Sequence, residues 1–305
     1  MSIVSTNSIY NFNILKSDLY NLLKSFNFLQ VSNIGYSVLG NNIYCVKIGN
    51  GQKQVFYSAS YHANEWITSI VLMKYIEDFC NAYVTNSNIY NYSARNIFNN
   101  TTIYIVPMVN PDGVNLVTNM YPPGSDQYNS AKEISNNYPN IRFPYGWKAN
   151  IRGVDLNLQF PANWEKAKEI KYQQGFTSPA PRDFVGFGPL TEPEALSVYN
   201  FTLEHNFRLI LAYHAQGEVI YWKYLDYIPP ESYYIGKQFS NSSGYTLELT
   251  PPESSFAGYK DWFIQNYNRP GYTIEVGLGE NPLPLSQFTK IYNDNIGILT
   301  LGAIL

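Results

Sequence analysis

Cysteine is scarce in this chain of 305 residues, which contains only Cys45 and Cys80. Two cysteines cannot form the network of several disulfides that staples small secreted domains. Cys45 lies in a predicted strand and Cys80 in a predicted helix. We therefore expect both thiols to be reduced and buried, as free cysteines usually are.

The chain also lacks long apolar runs and an excess of positive charge. Its amino terminus has no basic segment followed by an apolar one, so we identify no secretory signal and expect a cytoplasmic protein, with a spore or mother-cell compartment as the alternative. No apolar run is long enough to span a membrane, so we expect no membrane partner. With a formal net charge of -3, the chain has no cationic field for phosphate backbones, and we expect no nucleic-acid partner.

Apolar and aromatic residues are abundant. Hydrophobic residues make up 45% of the chain and charged residues 14%, with 28 Tyr and 17 Phe, a composition that excludes disorder and predicts a substantial core. No repeat or linker divides the sequence, which favours one domain. Within it we predict that residues 1–33 form a helical extension packed on the main domain of residues 34–305. The sequence does not indicate an oligomeric state.

Predicted strands alternate with predicted helices along the chain. The predicted elements are a helix at 14–27, a hairpin at 31–49, a strand at 54–62, a helix at 66–83, a strand at 102–113 ending in a Pro-Asp-Gly turn, a helix at 191–204, a strand ending at His214, a strand at 271–277 and a helix at 286–305. The stretch 118–190, rich in Pro, Gly, Asn and Tyr, is predicted to form long surface loops. This alternation predicts an α/β fold with a mainly parallel sheet covered by helices on both faces.

Three polar residues lie at the carboxyl ends of predicted strands, where ligands gather in open α/β sheets. His62 and His214 each end a strand, and Glu275 lies within the last one. Because the chain has only three histidines, two of them at strand ends are informative. The third, His205, lies near a helix end and is expected to be structural or exposed.

His62 and Glu65 form a His-x-x-Glu pair at the start of a predicted helix, a spacing that lets both side chains converge on one point. Zinc binds imidazole nitrogen and carboxylate oxygen, and catalytic zinc sites typically have three protein ligands and a water. His214 would complete such a set. The motif is short, however, and a capping Glu65 beside a His62 at the edge of the core is the ordinary alternative.

The remaining candidates are Glu275 and one short loop. An unpaired Glu275 is costly to bury, so it either pairs with an Arg or a backbone donor, or acts as a general base with a raised pKa. The sequence leaves both open. Arg152, Asp155 and Asn157 are each typical of turns, but together they could stabilise an oxyanion, support a metal-bound imidazole and orient a substrate.

From about Ile34 to the final helix the chain resembles the zinc carboxypeptidase family of metallopeptidases. The matching stretches are IGYSVLGNNIYCVKIG, SASYHANEW, VPMVNPDGV, NIRGVDLNLQFPANWE, LAYHAQGEVIYW and YTIEVGLGENPLP. The resemblance implies that residues 34–305 are a zinc peptidase domain with a mixed, mainly parallel eight-stranded sheet between helices. The implied roles are zinc ligation by His62, Glu65 and His214, proton transfer by Glu275, polarisation of the scissile carbonyl by Arg152 and support of a ligand histidine by Asp155.

The chain departs from the family pattern at two places. Carboxypeptidases of this family follow Gly-Val-Asp-x-Asn with an Arg that clamps the terminal carboxylate of the substrate, whereas Leu158 follows Asn157 here. The pattern is similar to that of the bacterial γ-D-glutamyl-meso-diaminopimelate peptidases, which implies a peptidoglycan stem peptide or muropeptide as substrate. The family's phenolic proton donor has no counterpart, because Tyr259 is displaced from its position.

Lys260 falls near the floor of the family's specificity pocket, and we predict that it contacts the free carboxylate of a diamino acid. The ordinary alternative is a solvated lysine on a helix. Three other functions stay open beside cleavage of the γ-D-glutamyl bond. They are an exo-acting zinc carboxypeptidase, a zinc-free cell-wall-binding module on an inactive peptidase scaffold, and a related zinc deacylase.

Overall fold

A computed structural model describes residues 2–305 of the chain. The strands are β1 Gln30–Tyr36, β2 Asn42–Ile48, β3 Lys53–Ala59, β4 Asn88–Ile89, β5 Tyr92–Ser93, β6 Thr101–Val106, β7 Phe207–His214, β8 Val219–Tyr221, β9 Thr246–Glu248 and β10 Gly271–Glu275. The α-helices are α1 Phe12–Ser25, α2 Ile67–Val84, α3 Ala94–Asn100, α4 Pro111–Val117, α5 Asp126–Asn136, α6 Trp164–Gln173, α7 Pro193–Leu203, α8 Ser232–Ser243, α9 Tyr259–Tyr267 and α10 Phe288–Ile304. Single turns of 3-10 helix are found at Ala63–Glu65, Leu156–Leu158, Pro252–Ser254 and Leu285–Gln287.

Eight strands form one mixed sheet in the order β1-β2-β6-β3-β7-β10-β8-β9. The central strands β6, β3, β7 and β10 run parallel, and the pairs of β1 with β2, β2 with β6 and β10 with β8 are antiparallel. The predicted eight-stranded mixed sheet is thus confirmed. Because the four central strands share one direction, their carboxyl ends meet at the same edge.

Helices cover both faces of the sheet because successive strand residues point to opposite sides. In β3, Val55 and Tyr57 lie in the larger core, and the Tyr57 hydroxyl donates to the carbonyl of Leu299 in α10. Phe56 between them lies in the smaller core, where its ring contacts Phe201 of α7 at 5.6 Å. The central strands are therefore apolar on both faces, as a buried parallel sheet requires.

The opening segment packs on the larger core. Leu15, Leu19 and Leu22 are buried at helical spacing on α1, and the Asn11 side chain caps the helix by accepting two backbone N–H groups of its first turn. Residue 34, the predicted start of the peptidase domain, lies inside β1. The chain therefore passes from this helix into the sheet with no long linker between them.

The structure differs from two of the loop predictions. The stretch 118–190 contains α5 and α6, which the sequence pattern did not reveal. Only Ala131 and Ser135 of α5 are buried, so the apolar periodicity that marks a helix is nearly absent. The predicted Pro-Asp-Gly turn is the first turn of α4. Pro111 occupies the first helical position, and the Asn110 side chain accepts the N–H of Gly113.

The two cysteines are free and buried, as predicted. Burial raises the pKa of both thiols above its ordinary value, so neither is poised to react. Across residues 2–305, no helix combines the length and apolar character that crossing a bilayer requires.

Replacing Leu15 by Ala is expected to lower the free energy of unfolding by about 2–5 kcal/mol, because the change leaves a cavity in the core. Leu23 lies on the same helix but is 38% exposed, so Leu23→Ala should cost less than about 1 kcal/mol. Urea denaturation followed by circular dichroism measures both values. Equal effects would contradict the packing of α1 described above.

Candidate active site

The candidate residues meet at the carboxyl edge of the central strands. His214 is the last residue of β7 and Glu275 is the last residue of β10, and the two are direct partners in the parallel register. His62 follows β3 by three residues and precedes the 3-10 turn that ends at Glu65. The ligand atoms of His62, Glu65 and His214 all lie within 4.8 Å of one another.

The spacing of these donor atoms fits a zinc ion. Nδ1 of His62 lies 2.8 Å from Glu65 Oε1 and 3.2 Å from His214 Nδ1, and His214 Nδ1 lies 3.0 Å from Glu65 Oε2. Atoms that bind zinc tetrahedrally at about 2.0–2.1 Å are separated by about 3.3 Å. Two imidazole nitrogens and one carboxylate at these separations therefore match a zinc site with three protein ligands.

Asp155 orients the first of these histidines. Nε2 of His62 lies 3.0 Å from Asp155 Oδ1, and the backbone N–H groups of Asn157 and Asp183 donate to the same carboxylate. A carboxylate on the far nitrogen of an imidazole fixes the ring, so that Nδ1 faces the metal position. Asp155 lies where the sequence predicted it, beside a ligand histidine.

His214 is held mainly by packing. Its ring stacks on Tyr61, with ring centroids 5.6 Å apart and planes inclined by 17°. Its Nε2 atom is buried and has no hydrogen-bond partner among residues 2–305. The contacts of Nδ1 and the flanking Tyr61 ring therefore set the direction of this imidazole.

The charges of the cluster depend on one another. Burial lowers the pKa of His62, but the carboxylates of Glu65 and Asp155 outweigh burial and bring it to about 9. Burial raises the pKa of Glu65, but His62 and Lys148 reverse the effect and hold it well below its ordinary value. Glu65 is therefore an anion, as a ligand of a divalent cation must be.

Glu275 lies beside the cluster at the end of β10. Its carboxylate has no hydrogen-bond or ion-pair partner within residues 2–305, so the alternative of a Glu275 paired with an Arg or a backbone donor is not found. Burial, and then repulsion by Glu65, raises its pKa to about 8. A carboxyl group in this condition can exchange a proton near neutral pH.

Two depressions open at the cluster, and Lys148, Arg182, Tyr221 and Glu275 line both. The first depression has a volume of about 200 Å³ and is also lined by His62, Asn157, Leu158, Lys171, Asp183, Lys260 and Asp261. The second has a volume of about 500 Å³ and is also lined by Asn64, Arg142, Gln216, Glu280 and Asn281. The shared residues mark the junction where a bond to be cut can lie.

Arg152 does not reach the site, contrary to the prediction that it polarises the scissile carbonyl. It stands at the corner of a tight turn, in which the N–H of Gly153 donates to the carbonyl of Asn150. Its side chain is 56% exposed, and its guanidinium lies 3.7 Å from Glu192. A turn corner directs its side chain outward, which explains why Arg152 lines neither depression.

Lys148, which the sequence did not single out, is a cation at the junction. Its Nζ atom lies 3.1 Å from Glu65 Oε1. Burial lowers its pKa, but Glu65 and Glu275 raise it overall, so the side chain stays charged. The Lys148 carbonyl accepts the N–H of Ala63, which ties its loop to the segment between His62 and Glu65. No local spacing reveals a contact between segments so far apart.

The other predicted residues divide by position. Asn157, Leu158 and Lys260 line the first depression. Lys260 is only 4% exposed and lies 2.7 Å from Asp261, which contradicts the alternative of a solvated lysine. Tyr259 is fully buried with its hydroxyl 2.9 Å from Thr202, so it does not supply a phenol to the site.

His205 is structural, as expected. Its Nδ1 atom lies 2.7 Å from the carbonyl oxygen of Phe201. Its ring stacks on Phe207, with centroids 5.0 Å apart. The third histidine of the chain thus belongs to the helix end and plays no part in the cluster.

Comparison with known proteins agrees with this geometry. The profile described as "Zinc carboxypeptidase" matches residues 19–297. This chain belongs to the zinc carboxypeptidase family. It is similar to Gamma-D-glutamyl-L-diamino acid endopeptidase 1 of Lysinibacillus sphaericus, with 45% identity over 296 residues, which are 97% of this chain and 72% of that protein. It is also 41% identical over 298 residues to protein YqgT of Bacillus subtilis (strain 168), covering 97% of this chain and 77% of YqgT.

Solved structures show the same zinc carboxypeptidase fold. Thrombin activatable fibrinolysis inhibitor superposes with a TM-score of 0.78 at 16% identity, covering 100% of this chain and 76% of that chain. Carboxypeptidase A from Helicoverpa armigera superposes with a TM-score of 0.74 at 21% identity, covering 98% of this chain and 74% of that chain. As a member of this family the chain is a zinc metallopeptidase, and its cluster of His62, Glu65 and His214 is suited to the ion.

Replacing His214 by Ala is expected to abolish retention of zinc after dialysis, because it removes one of three donors. His205→Ala removes a histidine outside the cluster and should retain one zinc per chain. Atomic emission measures the metal, and circular dichroism checks that both variants are folded. Equal zinc contents in the two folded variants would contradict the assignment.

Proposed function

We propose that this zinc peptidase hydrolyses the amide bond between the γ-D-glutamyl residue and the diamino acid of peptidoglycan stem peptides. The 45% identity over 97% of the chain to an endopeptidase named for that bond carries the proposal. Substrate class can change between distant members of one fold, but the aligned region here spans nearly the whole chain. The walls of the first depression add two further arguments.

Leu158 disfavours recognition of a free carboxyl terminus. It presents an apolar side chain at the position after Asn157, where the family's exopeptidases have a clamping Arg. Lys171, another cation of the first depression, is already paired with Asp183 at 2.7 Å. Cleavage within a peptide therefore suits this depression better than removal of its last residue.

The pair of Lys260 and Asp261 suits a diamino acid. The side chain of diaminopimelate ends in an ammonium and a carboxylate, whereas that of lysine ends in an ammonium alone. Lys260 and Asp261 form an ion pair at 2.7 Å. Lys260 would contact the carboxylate of the diaminopimelate side chain, and Asp261 would contact its ammonium. The Oδ1 atom of Asn157 accepts the N–H of Tyr259, which fixes the direction of the amide. The N–H₂ group of Asn157 can then orient the substrate.

The residues at the junction divide the chemistry. Bound zinc supplies a Lewis acid that activates water and polarises a carbonyl. Glu275, which is open to both depressions, accepts the proton of the attacking water and returns it to the nitrogen of the leaving amine as the amide bond breaks. Lys148 stabilises the negative charge that develops on the carbonyl oxygen.

Incubation of the zinc-loaded protein with L-Ala-γ-D-Glu-meso-diaminopimelate is expected to yield L-Ala-D-Glu and free diaminopimelate, identified by mass spectrometry. A C-terminal amide on the substrate should leave cleavage within a few-fold of the original rate, because Leu158 stands where the family's exopeptidases have the clamping Arg. Glu275→Gln should retain zinc and lose at least about 10²-fold in kcat.

The outcomes separate the competing functions. Cleavage that stops when the carboxyl terminus is blocked would indicate an exo-acting carboxypeptidase. Binding of stem peptides without cleavage by zinc-loaded wild type would indicate an inactive module. Full activity of Glu275→Gln would remove that residue from the proposed mechanism.

Replacing Lys148 by Gln is expected to lower kcat by about 10²–10³-fold, because it removes a preorganised positive charge at the junction. Arg152→Gln removes a cation from the same loop but outside both depressions, and should leave kcat within about twofold. Steady-state kinetics with zinc content measured on each sample distinguishes loss of catalysis from loss of metal. A larger effect at Arg152 than at Lys148 would reverse the assignment.

A further inference from the structure

Apart from Lys148 and Glu275, the residues that line the second depression have no part in the proposed chemistry. It joins the first depression only through Lys148, Arg182, Tyr221 and Glu275, so a peptide crossing the junction continues into it. The first depression suits the leaving diamino acid. The second depression is then the place for the acyl side of the scissile bond.

Two asparagines of the second depression have unsatisfied oxygen atoms. Nδ2 of Asn64 donates to the carbonyl of Tyr145 at 3.2 Å, and Nδ2 of Asn281 donates to the carbonyl of Ala215 at 2.7 Å. Because a carbonyl oxygen only accepts, these bonds fix the direction of both amides. Each Oδ1 atom is buried and has no hydrogen-bond partner among residues 2–305. Asn64 as a whole is only 3% exposed. Two acceptors without a protein partner thus belong to residues that line this depression.

Arg142 supplies positive charge to the second depression and lines no part of the first. Its guanidinium stacks over the ring of Tyr145 at 4.9 Å, and Tyr145 is the residue whose carbonyl anchors Asn64. Within residues 2–305 no carboxylate pairs with Arg142, whereas Lys148 and Arg182 each have one. The acidic residues that line this depression are Glu275 at the junction and Glu280, which is exposed.

We propose that the second depression binds a γ-linked glutamyl residue, with Arg142 contacting its α-carboxylate and Asn64 and Asn281 accepting peptide N–H groups. A γ-linked residue reaches the scissile carbonyl through its side chain. Its α-carboxylate therefore stays free, and its own N–H and that of the preceding residue extend away from the bond to be cut. An α-linked residue has no such free carboxylate. The inference rests on the proposed function and assigns this specificity to particular residues.

The test compares the binding of two peptides to the zinc-loaded Glu275→Gln protein by calorimetry. One is L-Ala-γ-D-Glu-meso-diaminopimelate, and the other has the glutamyl α-carboxylate replaced by an amide. We expect the acid to bind at least about tenfold more tightly, as a charge-assisted contact allows. Adding Arg142→Gln should reduce the ratio to about one while the affinity for the amide stays unchanged, and Arg142→Lys should restore part of it.

Arg95 provides a matched control, because it too stacks over a tyrosine ring, at 5.9 Å from Tyr83, but lies outside both depressions. Arg95→Gln should leave the ratio of affinities unchanged. A methyl group on the glutamyl nitrogen, which removes one N–H donor, should weaken binding of both peptides by about tenfold.

The outcomes also separate this inference from the proposed function. Equal affinities for acid and amide, or an equal loss of both in Arg142→Gln, would overturn the subsite. Retained preference for the acid in a protein that does not cut the tripeptide would keep the subsite and reject the proposed bond. Cleavage of the tripeptide without any preference would reject the subsite alone.

Discussion

The site depends on the parallel register of β3, β7 and β10. Glu275 pairs directly with His214, and Ala59 of β3 pairs with Tyr213, so three strands deliver their last residues to one edge. A slip of one residue in a strand would send its side chains to the opposite face. The buried apolar residues on both faces prevent such a slip, and the energy of the two cores thus fixes the geometry of the zinc donors.

Charge compensation is the second requirement for this site, because ionised groups are costly to bury singly. Glu65 contacts two imidazoles and Lys148. Burial raises the pKa of Asp155, but the charge and hydrogen bond of His62 lower it overall. Glu275 is the exception, because its carboxyl group has no hydrogen-bond or ion-pair partner within residues 2–305 and its pKa is raised. This carboxyl group without compensation is the one assigned to move protons.

The features that the sequence predicted are those with a local signal. Strand ends and the His-x-x-Glu spacing located His62, Glu65, His214 and Glu275. The resemblance to a family predicted the eight-stranded mixed sheet. The prediction that Arg152 polarises the scissile carbonyl was wrong, because the polarity of a loop residue does not reveal the direction of its side chain. The sequence did not predict Lys148, because the position of its side chain at the site depends on a backbone hydrogen bond with Ala63, which is distant in the chain.

The Asn110 side chain links the helix cap of α4 to the active site. Its oxygen accepts the N–H of Gly113, while its nitrogen donates to the carbonyls of Tyr61 and Ala149 at 3.1 and 3.0 Å. The amide of Asn110 is therefore hydrogen-bonded to the start of a helix, to the residue before His62 and to the residue after Lys148. The metal donors and the neighbouring ammonium are consequently assembled before any peptide arrives, and little reorganisation energy remains to be supplied during turnover.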